Sequence, residues 1–315
     1  MIRRSVAIGL GKLSTKMKVD TYVQEILPLL KNLVNDDQDS VRLLCIESIV
    51  DISASFSRDL NKANIIPILI HMIRDRAWKI RMMISKNFGK IAEAMSTEIA
   101  DNSLINIFSS LLSDPEGEVR CSATQNFVSF LKQVSKSKYP VMVPHLQELL
   151  KDSLPLVRVA AYEIVTLISE HLPKTEVKEK LIDGLISSFK TEKDNEVKIE
   201  MGRALTSCGL AMGTDFFTKV TNSDLTSLLK ERSWRVRKEI YTMIVTLSVN
   251  SKSSQLFEVN FQEHFLTYLS DQAYQVRMHG NSLLPVNIYN LDSSQDRAYH
   301  LGHKCPDTKT TEDEK

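Results

Sequence analysis

The sequence predicts an all-α protein, a superhelix made of tandem pairs of helices, and two repeated patterns carry this prediction. A branched apolar residue followed by a basic one recurs eight times, with 38 to 40 residues between successive basic positions. A carboxylate stands six residues before each of the last seven basic residues. Only ten glycines and nine prolines occur, which disfavours strands and glycine-rich loops. A fixed period of this length is typical of a helical repeat array.

The repeated acid and base are expected to form a ladder along one edge of the array if the units stack in parallel. We predict that this ladder maintains the fold, because its spacing is so regular. Its members are Asp36 and Arg42, Asp75 and Arg81, Asp114 and Arg120, Asp152 and Arg158, Glu192 and Lys198, Glu231 and Arg237, and Asp271 and Arg277.

Each unit contains two amphipathic helices, which we call helix A and helix B. In the segment 61–95, helix A is predicted from the stripe Ile65, Ile66, Leu69, Ile70 and Ile73, and helix B from Ile80, Met83, Ile84, Phe88 and Ile91. Neither helix can cover its apolar face alone, so successive pairs should stack into one continuous core. Prolines at Pro28 and Pro67 follow several helical residues, which predicts a kinked helix A in those units.

The period divides the chain into a repeat array, 1–284, and a tail, 285–315, that we predict to be disordered because it lacks a complete apolar stripe and ends in charged residues. The array holds about seven and a half repeats of about 39 residues. They are a half repeat, 1–18, and whole repeats at about 20–57, 60–96, 99–136, 139–173, 175–212, 215–251 and 254–284.

Composition narrows the function classes. Forty basic residues against thirty-nine acidic ones give a formal charge of +1, too balanced for the basic footprint of a nucleic-acid-binding protein. No apolar run approaches the length of a membrane span, and the first residues lack a secretory signal, so we expect no membrane partner. Four cysteines lie far apart, which favours a reducing compartment. We therefore expect a cytoplasmic protein, with the nucleus as a second location.

The turn sequences resemble those of a known family. Units of this length with an acid in the turn and a Val-Arg pair after it are similar to HEAT repeats. The segments 36–44, 75–81, 231–237 and 271–277 look like successive turns of the scaffold (A-type) subunit of protein phosphatase 2A, and they occur in the order that the family shows. The likeness runs from Ile2 to about Leu284. The chain lacks some of the repeats that the family has at each end of its array.

This resemblance implies a non-catalytic scaffold that binds a variable regulatory (B-type) subunit on N-terminal repeats and the phosphatase catalytic subunit on C-terminal ones. The matching catalytic-subunit contacts are Trp234, Arg235, Tyr274 and Ser233, and the matching regulatory-subunit contacts are Trp78, Lys79 and Asp39. Exposed aromatic residues beside a basic residue are common interface anchors. Ser233 and Lys79 depart from the family, which often has Lys and Arg at these positions.

Other readings stay open. The aromatic residues could pack on the turns of adjacent repeats, and the chain could be a generic HEAT-repeat adaptor that assembles with no phosphatase. An enzyme would need a domain outside the repeats with clustered polar residues, and the repeat pattern covers every stretch of the chain before Leu284. We expect no cofactor and no metal site, because His300, His303 and Cys305 lack a second cluster to complete a zinc site. Cys45, Cys121 and Cys208 are predicted to be inert core residues of helix B.

Overall fold

The structure is a computed structural model that describes residues 1–213, 229–250 and 267–288. All regular elements in these ranges are helical. The first helix and the helices B are α1 (Ile2–Ser14), α3 (Asp39–Ser55), α5 (Trp78–Glu93), α7 (Gly117–Leu131), α9 (Pro155–Ile168), α11 (Asn195–Met212), α12 (Trp234–Val249) and α13 (Tyr274–Ile288). The helices A are α2 (19–33), α4 (58–72), α6 (97–112), α8 (Tyr139–Leu149) and α10 (174–191). The prediction of an α-α superhelix of HEAT type is confirmed.

The chain divides into two compact units, Met1–Ala211 and Met212–Lys315. The first contains the half repeat and five helix pairs, α2 to α11. In the second, the structure describes α12, α13 and a short helical turn before α13. The predicted helices A of the last two repeats and the tail from residue 289 onward lie outside the described residues. Helix α13 ends at Ile288.

The core of the first unit joins neighbouring repeats through aromatic side chains. Phe88 of α5 and Phe108 of α6 have ring centroids 4.8 Å apart, and both rings also contact Phe130 of α7, at 5.2 and 4.5 Å. All three side chains are fully buried. Edge-to-face and tilted pairs at these separations add to the hydrophobic contribution of burial. A continuous core between repeats is what the two-stripe pattern of each unit predicts.

Helix A contains a π-helical turn in four of the five described pairs, and proline is not its cause. In α2, the Leu27 amide donates to the Tyr22 carbonyl five residues back, immediately before Pro28. The same turn occurs at Ala100–Leu104 and Val177–Ile182, where no proline follows, while Pro144 lies inside regular α-helix. The wider turn is therefore a feature of the repeat and not an effect of proline. It accommodates Pro28 and Pro67 because proline has no N–H group for the hydrogen bond that a regular α-helix would need there.

Candidate protein-binding ridge

The seven turn residues that the sequence analysis aligned occupy one structural position, the first residue of helix B. We call this set the ridge. It consists of Asp39, Trp78, Gly117, Pro155 and Asn195 in the first unit, and Trp234 and Tyr274 in the second. A side chain at a helix start projects beside the turn and is held by rigid backbone, so an aromatic residue there loses little freedom when it binds.

The aromatic ridge residues differ in exposure. Trp234 keeps 38% of its surface exposed and Tyr274 keeps 61%, whereas Trp78 is half-buried. Each of two aromatic rings has a cation nearby: Lys79 Nζ lies 5.9 Å from the Trp78 ring centroid, and the Arg277 guanidinium lies 5.9 Å from that of Tyr274. Contacts of this kind contribute about 0.5–1 kcal/mol at exposed sites. The Trp78 and Tyr274 rings are thus each close to one cation of their own repeat.

The remaining predicted contact residues surround these rings. Asp39, Lys79 and Arg235 are exposed, and Ser233 is half-buried directly before Trp234. Trp78 and Lys79 lie in one repeat and Asp39 in the repeat before it. Trp234, Arg235 and Ser233 lie in the second unit, together with Tyr274.

Behind the ridge, five of the ladder arginines each bridge two repeats, and among the described residues Arg277 makes only the contact within its own turn. In each of the five, Nε and Nη2 donate to both carboxylate oxygens of the next repeat's acid, and Nη1 donates to the backbone carbonyl of its own repeat's acid. The bidentate pairs are Arg42 with Asp75, Arg81 with Asp114, Arg120 with Asp152, Arg158 with Glu192, and Arg237 with Asp271. Nη1 reaches the carbonyl oxygens of Asp36, Asp75, Asp114, Asp152, Glu231 and Asp271 at 2.6 to 2.8 Å.

The ladder carboxylates also shape the turns. Oδ1 of Asp75 accepts the Ala77 amide at 2.8 Å, and Oδ1 of Asp152 accepts the Leu154 amide at 2.9 Å. Burial alone would raise the pKa of these two carboxyl groups, but the arginine and the backbone amide together lower it below its usual range. The charged form is therefore the one that the folded chain selects.

The ladder is not uniform along the chain. At its start, Arg3 makes one contact with Asp36, 3.0 Å from Nη1 to Oδ2, and the Arg3 side chain remains 53% exposed. At the fifth basic position after Arg3, Lys198 replaces arginine, is only 8% exposed and places its Nζ 5.5 Å from the Phe189 ring centroid. An ammonium group cannot make the planar two-bond contact, so the geometry differs here.

The cysteines in the described ranges are buried or half-buried. Burial, together with the negative charge of Asp36, raises the pKa of the Cys45 thiol to about 12. Burial also raises the pKa of the Cys208 thiol to about 12. Within the described ranges, no group of three or more His, Cys, Asp or Glu side chains could hold a metal ion. His300, His303 and Cys305 lie outside those ranges. None of the described helices is long and apolar enough to cross a membrane.

Two exposed leucines on the ridge side were missed by the sequence analysis. Leu154 and Leu156 flank Pro155 at the start of α9, with 38% and 66% of their surfaces exposed. The signal was present in the repeat alignment, because the equivalent positions in the other described repeats hold polar, charged or small residues.

Comparison with known protein families shows which family this chain belongs to. A family model described as "Sister chromatid cohesion protein PDS5 protein" matches residues 19–185, which is more than half of the chain. The chain belongs to the PDS5 family. The matched range runs from α2 into α10 and includes Trp78, but neither Trp234 nor Tyr274. No curated protein matches this PDS5-family chain.

Solved structures support the fold of this PDS5-family chain. Yeast importin-beta (Kap95p) is similar with a TM-score of 0.70 and 13% identity, over 88% of this chain and 36% of that one. Two crystal structures of Kap121p mutants give TM-scores of 0.58 and 0.57 at 16% and 17% identity, over 85% and 84% of this chain and 28% of each of those. The chain thus spans about a third of the length of these structures. The phosphatase resemblance of the turns stands on the sequence alone.

Proposed function

We propose that this chain is a non-catalytic scaffold that binds other proteins along the ridge, and that its complex is that of protein phosphatase 2A. The catalytic subunit would bind Trp234, Arg235, Tyr274 and Ser233, and a regulatory (B-type) subunit would bind Trp78, Lys79 and Asp39. The observation that carries the proposal is the exposed Trp234, held at the start of α12 beside Arg235, in a turn that resembles the phosphatase scaffold.

The physical case rests on the kind of surface that the ridge offers. Interfaces concentrate their binding energy in a few aromatic and arginine residues, and truncating such an anchor often costs about 2 kcal/mol or more. Trp234 keeps 38% of its surface exposed, so it can offer apolar area to a partner.

The test is capture of the purified phosphatase catalytic subunit by the purified chain, compared with Trp234→Ala and with Asn195→Ala. Asn195 is an exposed ridge residue at the same structural position in another repeat, so its variant controls for any nonspecific effect of truncation. We expect Trp234→Ala to weaken capture at least about tenfold and Asn195→Ala to leave it unchanged. Circular dichroism of both variants should match the parent chain. Equal capture by all three proteins would remove the assignment of Trp234.

A second candidate follows from the family match over residues 19–185, whose model describes a sister chromatid cohesion protein. In this case the matched repeats would serve a cohesion complex in the nucleus, whereas the phosphatase proposal expects the chain in the cytoplasm as well. Depleting the chain from dividing cells and scoring premature separation of sister chromatids in metaphase spreads tests this candidate. Normal cohesion together with failed phosphatase capture would leave a generic HEAT-repeat adaptor.

A further inference from the structure

The turn between α8 and α9 presents an apolar surface to solvent. Leu156 has 66% of its surface exposed and Leu154 has 38%, although both are aliphatic. Pro155 lies between them as the first residue of α9. Proline at this position is preorganised for the helix, so the two leucines are held on a stiff backbone. Two exposed leucines on one rigid turn differ from the single exposed apolar residues that any protein surface carries.

The fold does not require leucine at either position. In the first unit, the residues aligned with Leu154 and Leu156 are Gln38 and Ser40, Ala77 and Lys79, Glu116 and Glu118, and Asp194 and Glu196. Each of those four turns contains the same hydrogen bond as this one, because the carboxylate of the ladder acid accepts a backbone amide of the turn. The leucines therefore add a surface property to a turn that polar residues build equally well.

The apolar surface has an acidic border. Leu154 lies against the turn of the preceding repeat so closely that a Cβ added at Gly117 would overlap its Cδ1 atom. Gly117 is flanked by Glu116 and Glu118, and both glutamates are exposed. The ladder acids nearby, Asp114 and Asp152, are engaged by arginines and contribute no uncompensated charge. Glu116 and Glu118 therefore supply negative charge at the turn that Leu154 contacts.

We propose that Leu154, Leu156, Glu116 and Glu118 form a docking site for a protein segment in which an aliphatic or aromatic side chain is flanked by Lys or Arg. Covering the leucines would remove apolar surface from water, and the glutamates would select basic flanks and disfavour acidic ones. This site lies in repeats that hold neither tryptophan, so it is separate from the phosphatase contacts and does not depend on them.

The probe is an array of short synthetic peptides, each with Leu, Ile or Phe flanked on both sides by Lys or Arg, and a matched array with Glu in place of every basic residue. The labelled full chain is expected to bind peptides of the basic array only. Leu156→Ser should weaken this binding at least about tenfold. Glu116→Gln combined with Glu118→Gln should weaken it and reduce its dependence on salt.

The matched control is Ile70→Ser, which alters an exposed aliphatic residue on helix α4, 39% exposed, and should leave peptide binding unchanged. Leu156 is mostly exposed, so its variant should keep the parent's circular dichroism and unfolding temperature. Binding of both arrays alike, binding that survives Leu156→Ser, or no binding to either array would each overturn the proposal. None of these outcomes depends on a phosphatase subunit.

Discussion

Arg42 and Asp75 lie 33 residues apart in the sequence and form a bidentate ion pair between adjacent repeats, with Nε to Oδ2 at 2.7 Å and Nη2 to Oδ1 at 2.9 Å. Only 7% and 8% of their side-chain surfaces are exposed. Breaking a buried pair from one side leaves the other charge uncompensated, which is far more costly than losing a pair on the surface. The ladder should therefore dominate how this chain responds to mutation and to acid.

Arg81→Ala should destabilise the first unit by about 3 kcal/mol, because it leaves the Asp114 carboxylate, 5% exposed, without its guanidinium partner. Arg58→Ala is the matched control. Arg58 pairs with Glu98 in the same unit, but both side chains are half exposed, at 50% and 51%, so its loss should cost less than about 1 kcal/mol. Urea unfolding followed by circular dichroism measures both. Similar shifts for the two variants would show that the ladder has no special weight.

Acid should weaken the fold through the ladder carboxyl groups. Burial opposes ionisation of Asp75 and Asp152, but their arginines and turn amides lower the pKa of each below its usual range. A folded-state pKa below the unfolded one gives stability that is complete above about pH 4 and is lost as the pH falls through the folded-state value. The urea midpoint should fall steeply below about pH 4.

The Asp75→Asn variant isolates one pair in this pH series. It should be less stable than the parent chain at neutral pH, and the difference should shrink as the pH falls, because the parent's carboxylate then becomes protonated. A difference that stays constant between neutral pH and about pH 3 would contradict an electrostatic origin.

Val157→Asp should lower stability by at least about 3 kcal/mol, since Val157 is fully buried and the new charge would have no partner. The neighbouring residue provides the control: Leu156→Asp changes a side chain that is 66% exposed and should shift stability by no more than about 0.5 kcal/mol. Thermal unfolding followed at the helical signal separates the two. Comparable losses at both positions would mean that α9 packs differently from the structure.

Gly89→Ala should destabilise the chain by about 1–3 kcal/mol despite the better helix propensity of alanine, because the new Cβ would lie 2.7 Å from the Ser129 Cβ of the adjacent helix B. Gly184→Ala, in α10, meets no atom within 4 Å and should stabilise by about 0.5–1 kcal/mol. Opposite signs in urea unfolding are the expected result. A stabilising Gly89→Ala would show that α5 and α7 can separate freely.

The period and the offset of six single out the helix pairs of the first unit and the residues of the five bidentate ion pairs, because both patterns repeat in the sequence. These patterns could not predict which acid each arginine pairs with. Arg81 donates to the backbone carbonyl of Asp75, six residues before it, and to the carboxylate of Asp114 in the next repeat. Only the stacking of the helices determines which acid contributes its carbonyl and which its carboxylate. The π-helical turn was likewise hidden, because Ala100–Leu104 shares no distinctive residue with Tyr22–Ile26.

The ridge could be predicted in position but not in exposure. Trp234 and Tyr274 align in the sequence, yet Trp234 keeps 38% of its surface exposed and Tyr274 keeps 61%, since exposure depends on what the neighbouring turns place beside the ring. Leu156 is a different case. The repeat pattern marks Val157 as the apolar residue before the basic anchor and says nothing of Leu156, whose side chain the structure leaves 66% exposed.

The bridging arginines also bear on how such an array can change in length. Each one needs only a carbonyl in its own turn and a carboxylate in the following turn, as Arg158 shows with Asp152 and Glu192, so removing or duplicating one complete repeat should recreate the same junction between new neighbours. Removing a single residue from a turn would instead misplace a guanidinium and a carboxylate at once. The array should therefore tolerate the gain or loss of a whole repeat better than the loss of one turn residue.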